Sequence, residues 1–523
     1  MDMKRSKQMK QMTKTLLAVS MLLSTVQLSA TVSGLSYFLP RAQNGTAVDI
    51  LGWSPFIDKY DADAMYFDFK IQSEWRQSFN STKLGEYIFF NGTNSMVWGK
   101  ANTTGANNPT TDVNSINFLL PQGTQITATV NPKIQSSITD FSLFVGLDEF
   151  VSGLWLTVHL PLVYTRWNTH LENTVQTAAP TTFAAGEVST AAGTASPYVD
   201  VVAAYKGDKT AGDANVTWKY GRINGSQNET KLGDVALNFG YDFISKENAH
   251  LGLAIRGLFG AGGKSKAEYV FEPTVGMGGR SGVGGFLDGH VRIWERDEDH
   301  NLALYVSGYA VHLFNGTELR SYDLTTSGTG SRYNLVKKFT VLAAAPSTFS
   351  NIDNMINIGT QHAKINVNVT YEANIQLSYV MGNVGFDLGY SAGGHGSESF
   401  SSWVDTIPAN TYVLYGNTVA DDSVAKQSWA ISQVQVNGNQ TGSTNAQVTT
   451  ANEATYCISN ASLSQASGLA PSVFSNIIYF DVNYTWRDND WSPNVSLFGS
   501  AEFGGSNKTP NTWSVGLQGN VSY

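Results

Sequence analysis

Only one cysteine, Cys457, occurs in the 523 residues. A single thiol closes no intrachain disulfide, so the fold must be stable without one. Cys457 is far from the N-terminus and is not a lipid-attachment residue; it reads as an inert loop residue, the other reading being a surface thiol that pairs between molecules. Charge is equally scarce. Asp, Glu, Lys and Arg make up 14% of the chain, against about 25% in ordinary soluble domains. Beyond the first thirty residues there is no uninterrupted apolar run of about 18 residues, which excludes a membrane-spanning helix. There is no basic tract for nucleic acid or anionic lipid. His159, His170, His250, His290, His300, His312, His362 and His395 are scattered, with no metal-ligand spacing. No G-x-S-x-G elbow is present. The G-A-G-G-K-S stretch at 260–265 lacks the first glycine of a phosphate loop, position 258 being Leu. The chain is therefore read as a non-enzyme with no catalytic residue, metal or cofactor.

What is abundant is glycine, 50 residues, together with Asn, Ser, Thr and aromatics. Many turn formers and aromatics without apolar blocks favour an all-β protein. The N-terminus has the form of a secretory signal peptide, residues 1–30. Lys4, Arg5, Lys7, Lys10 and Lys14 precede a short apolar stretch at 15–26, and Ser29-Ala30 offers small residues for cleavage, with a later cut near Gly34 as the alternative. Removing 1–30 takes away five basic residues and one acid, moving the formal charge from −9 to −13. Residues 31–63, with A-V-D-I-L-G-W-S-P-F, are expected to form a periplasmic lead-in or a small plug.

From Phe67 onward the chain alternates with the period of two that a β-strand imposes on its side chains. Phe67, Phe69, Ile71 and Trp75 lie opposite Asp68, Lys70 and Glu74; Val235, Leu237, Phe239, Tyr241 and Phe243 lie opposite Asp234 and Asp242. Similar stretches start at Ile138, Leu154, Leu251, Phe286, Asn301, Ala363, Val384, Ile478, Val495 and Thr512, giving twelve strands. Residues 76–137 are ambiguous: a further pair near 84–130 would make fourteen, or the segment is a loop. Link lengths then sort into two classes. The links 148–153, 245–250, 295–300, 381–383 and 487–493 are short, whereas 168–231, 260–285, 315–362 and 392–475 are long and polar. A soluble sandwich needs no such asymmetry.

The last stretch carries the most specific signal. Trp513, Val515, Leu517, Val521 and the C-terminal Tyr523 share one face of 512–523, with small polar residues on the other. This resembles the C-terminal strand of bacterial outer-membrane β-barrels, where a terminal aromatic in phase with the apolar face is an assembly signal. The resemblance implies a transmembrane antiparallel barrel over 64–523, with short periplasmic turns and long extracellular loops near 168–231, 315–362 and 392–475. A strand in lipid cannot leave backbone groups unpaired, so its sheet must close.

In such a barrel the apolar rows face lipid and the polar rows face the lumen. The expected lumen-lining residues are Asp68, Lys70, Glu74, Asp140, Asp234, Asp242, Arg256, Asp288, His290, Arg292, Lys364, Glu372, Asp387, Asp481 and Glu502. Acids outnumber bases ten to four in that set, so an open lumen would favour cations. The expected function is a porin-like channel in the outer membrane for passive diffusion of small hydrophilic solutes, biased toward cations and narrowed by inward-folded loops. The alternative is an adhesive or structural surface protein with a plugged barrel and functional loops. Expected partners are the outer-membrane bilayer, the barrel-assembly machinery and small solutes or cations, but no nucleic acid; a monomer and a homo-oligomer are both compatible.

Overall fold

The structure, a computed structural model, describes residues 43–48, 53, 56–57, 65–89, 91–99, 113–121, 123–183, 196–212, 214–297, 300–326, 329–341, 348–414, 457–487, 491–504 and 509–523. The expected signal peptide, its cleavage sites and much of the lead-in lie outside the described residues.

Twelve strands run antiparallel around a closed sheet. They are β1 (Tyr66–Phe79), β2 (Lys133–Gly146), β3 (Leu154–Asn168), β4 (Val235–Lys246), β5 (Ala249–Phe259), β6 (Gly282–Asp297), β7 (His300–Leu313), β8 (Val369–Met381), β9 (Val384–His395), β10 (Val473–Thr485), β11 (Ser492–Gly504) and β12 (Asn511–Ser522). Each strand pairs with its successor, and β12 closes the ring on β1 from Asp68↔Ser522 to Phe79↔Asn511. The ring of twelve strands closes on itself, which is the condition for a sheet in hydrocarbon. A short strand, Ser226–Leu232, pairs with the upper part of β3 and runs through Gly233 and Asp234 into β4.

Burial is inverted relative to a soluble protein. Along β1, Asp68 and Gln72 are 0% exposed while Phe69 is 41% exposed; Leu517, Ile255 and Leu388 are 64%, 66% and 58% exposed. Apolar side chains therefore point outward and polar ones inward, the arrangement of a barrel whose solvent is lipid. Trp513, Val515, Leu517 and Tyr523 are all on the exposed side of the closing seam. Aromatics gather at the short-turn rim: the Trp491 ring lies 4.9 Å from Tyr523 and 5.7 Å from Phe67, and Tyr484 lies 4.9 Å from Trp486.

Some inward aromatics fit only because a glycine sits directly across the strand pair. Trp155 faces Gly240, Tyr479 faces Gly389 and Phe498 faces Gly516. A Cβ on Gly240 or Gly389 would come within 2.2 Å of the opposing ring, and one on Gly516 within 2.3 Å. Only a residue without a side chain leaves room for the ring to lie flat on the wall.

The long links are not featureless polar loops. The described residues of 80–132 add no strands to the barrel; Ser95–Gly99, Val113–Asn114 and Gln125–Thr129 join Glu172–Thr177, from the β3–β4 link, in a separate four-stranded sheet. The count is therefore twelve, not fourteen. Two three-stranded sheets come from the β7–β8 and β9–β10 links. Together these segments form a cap at the long-link end with its own apolar core of Trp98, Phe118, Tyr205, Trp218, Tyr333 and their neighbours. The Trp218 and Tyr333 rings are 4.9 Å apart although 115 residues separate them in sequence. A second core holds Tyr322, Val336, Met355, Ile365 and Leu463.

Candidate functional site: an occupied lumen

The wall residues that face inward are those in phase with the polar rows. Asp68, Lys70, Glu74, Asp140, Asp242, Arg256, Asp288, Asp387, Asp481 and Glu502 are buried on the inner face, and Asp234 is buried where the wall enters β4. His290 and Glu372 are half-buried there. Arg292 sits at the short-turn end of its row, ion-paired to Glu295 at 2.8 Å. Lys364 is the exception. It is exposed on Thr360–Val367, which belongs to a cap sheet with Gly316–Ser321 and Glu398–Trp403, so it is not in the barrel wall.

Most of these charges are held by the wall itself. Glu74 pairs with Arg76 at 2.5 Å. Asp481 accepts from Asn483 Nδ2 at 2.9 Å, and Glu502 from Thr512 Oγ1 at 3.0 Å. Asp242 accepts from Trp155 Nε1 at 2.9 Å. Glu372 accepts from Ser391 Oγ at 3.1 Å. Such neighbours keep buried carboxylates hydrogen-bonded in the narrow interior.

The rest of the lumen is filled from two directions. The first is the N-terminal segment. Gln43 bridges Val275 in parallel, its N–H donating to the Thr274 carbonyl at 3.0 Å. Arg76 donates to Gln43 Oε1 at 3.3 Å and to the Gly45 carbonyl at 3.2 Å. Asn44 Oδ1 accepts from the Asp234 N–H at 2.6 Å. Val48 packs on Ile477, Tyr479 and Phe498. Nearer the short-turn end, Trp53 Nε1 donates to Asp68 Oδ1 at 2.5 Å, its ring stands edge-on to His159 at 5.4 Å and Phe144 at 6.4 Å, and Lys70 Nζ lies 4.6 Å from it.

The second filler is the β5–β6 link. Its residue Val275 packs on Ile138 and Val163 of the inner wall, and the Met277 N–H donates to Asp234 Oδ2 at 2.7 Å. The G-A-G-G-K-S stretch lies in this link; Ser265 Oγ donates to Glu272 Oε2 at 2.8 Å, which also accepts from the Lys266 and Ala267 N–H groups. Burial raises Glu272 above the ordinary carboxylate range. The stretch is thus a loop base tied to its own acid.

Among the described residues, an outer and an inner cavity are both lined in part by His159 and Arg256. The outer one has Asn44, Arg76, Asp140, Asp234 and Glu372 in its walls beside apolar Leu258, Met277 and Ile477. The inner one is bounded by Trp53, Phe144, Trp155, Phe286 and Tyr305, with Thr157, Asn238, His250 and Asp288 as polar members. Arg256 donates to Asn238 Oδ1 at 3.3 Å and lies 4.3 Å from the Tyr309 ring and 5.8 Å from that of Phe286. Among the described residues no three metal-ligating side chains converge.

Arg76, Trp155 and His159 were not among the expected lumen residues. All three are in phase with inward rows, Arg76 two residues beyond Glu74, and strict alternation would have found them. The lumen contacts of Asn44 and Trp53 carry no such signal.

No protein-family model matches the chain, and no curated protein sequence does. Solved structures share its form at a distance. An outer-membrane channel from Pseudomonas putida F1 aligns over 89% of this chain and 98% of its own, at 8% identity and a TM-score of 0.37. A Pseudomonas aeruginosa FadL homologue covers 94% and 98% at 7% identity and 0.27, and the Pseudomonas putida toluene transporter TodX 93% and 96% at 8% and 0.30. At these identities and scores the likenesses assign neither substrate nor mechanism to this chain.

Proposed function

We propose that the protein is an outer-membrane channel in which small hydrophilic solutes, cations preferred, pass through a lumen controlled by its N-terminal segment. The observation that carries this is the lumen itself: a closed barrel in which an outer and an inner cavity share His159 and Arg256 as lining residues, with Asn44–Ala47 beside the outer one and Trp53 and Ile57 beside the inner. A permanently open, water-filled pore does not accord with that occupancy, so conduction requires the segment or the inward link to shift. Residues 43–48 are held by hydrogen bonds to a few wall and loop groups rather than by incorporation into the barrel sheet, so displacing them leaves the ladder intact. The preference for cations rests on the acid-rich inner face.

The test is planar-bilayer recording of the refolded protein in a potassium chloride gradient. Discrete conductance with reversal potentials on the cation side is expected; an anion preference removes the bias, and silence both with and without residues 31–57 removes the channel. A surface role for the cap, favoured by its independent core, predicts instead that cap deletions abolish cell attachment in a non-conducting barrel.

A further inference from the structure

Of the groups left unused by the passage just proposed, those at the short-turn end of the inner cavity converge most sharply. Asp242 of β4 and Asp288 of β6 approach each other across Gly252 of β5. A Cβ on Gly252 would lie 2.3 Å from Asp242 Oδ1 and 2.8 Å from Asp288 Oδ1. Both carboxylates are buried, at 8% and 7% exposure. Asp242 has the Trp155 Nε1 donor, and Asp288 Oδ2 lies 3.6 Å from His250 Nε2. Asp288 Oδ1, in contrast, is shut off from solvent and accepts no hydrogen bond among the described residues. A buried acceptor in that state costs free energy unless something donates to it.

The surroundings say what kind of donor fits. Asp288 lines the cavity together with the rings of Trp53, Phe144, Trp155, Phe286 and Tyr305. Trp155 stacks on Phe144 at 5.8 Å and stands edge-on to Phe286 at 6.1 Å. Aromatic faces carry negative potential and attract organic cations, above all when a carboxylate is near. Arg256 is four residues further along β5, about 13 Å at the rise of a strand. Its charge at that end disfavours a cationic head there and so orients a ligand head-down toward Asp288.

We infer that this cavity is a binding site for a small aromatic ammonium compound, its cation on Asp288 beside Asp242 and its ring among Trp155, Phe286 and Trp53. The inference rests on reading the lumen as a route for cationic solutes, and it narrows that class to amines carrying a flat apolar body.

The test uses the full chain refolded in detergent, with tryptophan fluorescence as the readout because Trp53 and Trp155 line the site. Benzylammonium, benzyl alcohol and benzoate present the same ring with positive, neutral and negative heads. Benzylammonium is expected to bind at least about tenfold tighter than benzyl alcohol, with benzoate weakest. Asp288→Asn should weaken benzylammonium by about tenfold or more, as loss of a charge-assisted contact does, and bring it level with the alcohol. Phe286→Leu should weaken both by a few-fold. Equal binding of all three ligands to the unmodified protein overturns the inference whatever the variants do. So does unchanged affinity in an Asp288→Asn barrel whose folding is verified by heat-modifiable gel mobility. Binding without conductance would uphold this site and remove the channel; conductance without binding would do the reverse.

Discussion

Trp53 offers the sharpest test of how the lumen is kept occupied. It belongs to no strand, yet it is 2% exposed and makes four separate contacts with the inner wall, to Asp68, Lys70, Phe144 and His159. Replacing a buried tryptophan by alanine costs about 3–5 kcal/mol through lost burial and the cavity left behind. Asp68 retains a donor, Asn520 Nδ2 at 3.0 Å, so no carboxylate is stranded and the cost should not rise far beyond that range. The loss falls on the docking of the segment and not on the barrel, whose twelve-strand ladder, among the described residues, includes none before Tyr66. At about 1.4 kcal/mol per tenfold, the undocked population should rise by about two to three and a half decades. In planar bilayers Trp53→Ala should therefore spend far more time in a high-conductance state than the unmodified protein. Limited proteolysis should cut the segment faster, while heat-modifiable mobility of the barrel stays unchanged. A variant with the same conductance record and an equally protected segment would refute the idea that these contacts hold the lumen shut.

Two further outcomes follow from packing. Gly389→Ala drives a methyl within 2.2 Å of the Tyr479 ring, so it should lower the barrel's unfolding temperature in detergent, whereas Ser391→Ala, on the same face, should do so far less. In the cap, Arg320 is 0% exposed and bonds Glu318 at 3.1 Å and Glu398 at 3.0 Å, with Arg280 also on Glu318 at 3.1 Å. Arg320→Met leaves two buried carboxylates short of a partner, a change that costs about 3–5 kcal/mol; hydrogen exchange should show loosening at 316–321 and 396–403 while barrel strands keep their protection.

The barrel was legible because one physical rule governs all of it. A strand between lipid and water must show a different chemistry on each side, and the period of two survives in any register, so Phe69 against Lys70 or Leu517 against Gln518 can be read without knowing a neighbour. The same rule misplaces Lys364. Ile365 and Val367 continue in phase with Val369 and Tyr371, but Asn368 interrupts the ladder, its carbonyl accepting from the Leu313 N–H at 3.2 Å, and the two stretches enter different sheets. Periodicity records which way side chains alternate; it does not record where pairing stops. The fit of Trp155 on Gly240 or Tyr479 on Gly389 is hidden for a related reason, since each pair exists only once the register between two strands is set. The cap and the lumen segment lie further still from what alternation can reveal. Asn215 Oδ1 accepts from the Ile352 N–H at 2.9 Å across 137 residues, and Asn44 meets Asp234 across 190. Those contacts stabilise short, irregular segments that have little intrinsic preference of their own. The wall therefore follows from local chemistry, whereas the parts proposed to control passage, residues 43–48 with Trp53 and the link at 260–281, are specified by a handful of distant polar and aromatic partners. Substitutions at those partners should accordingly change conductance at little cost to the barrel, and substitutions on the lipid-facing rows should do the opposite.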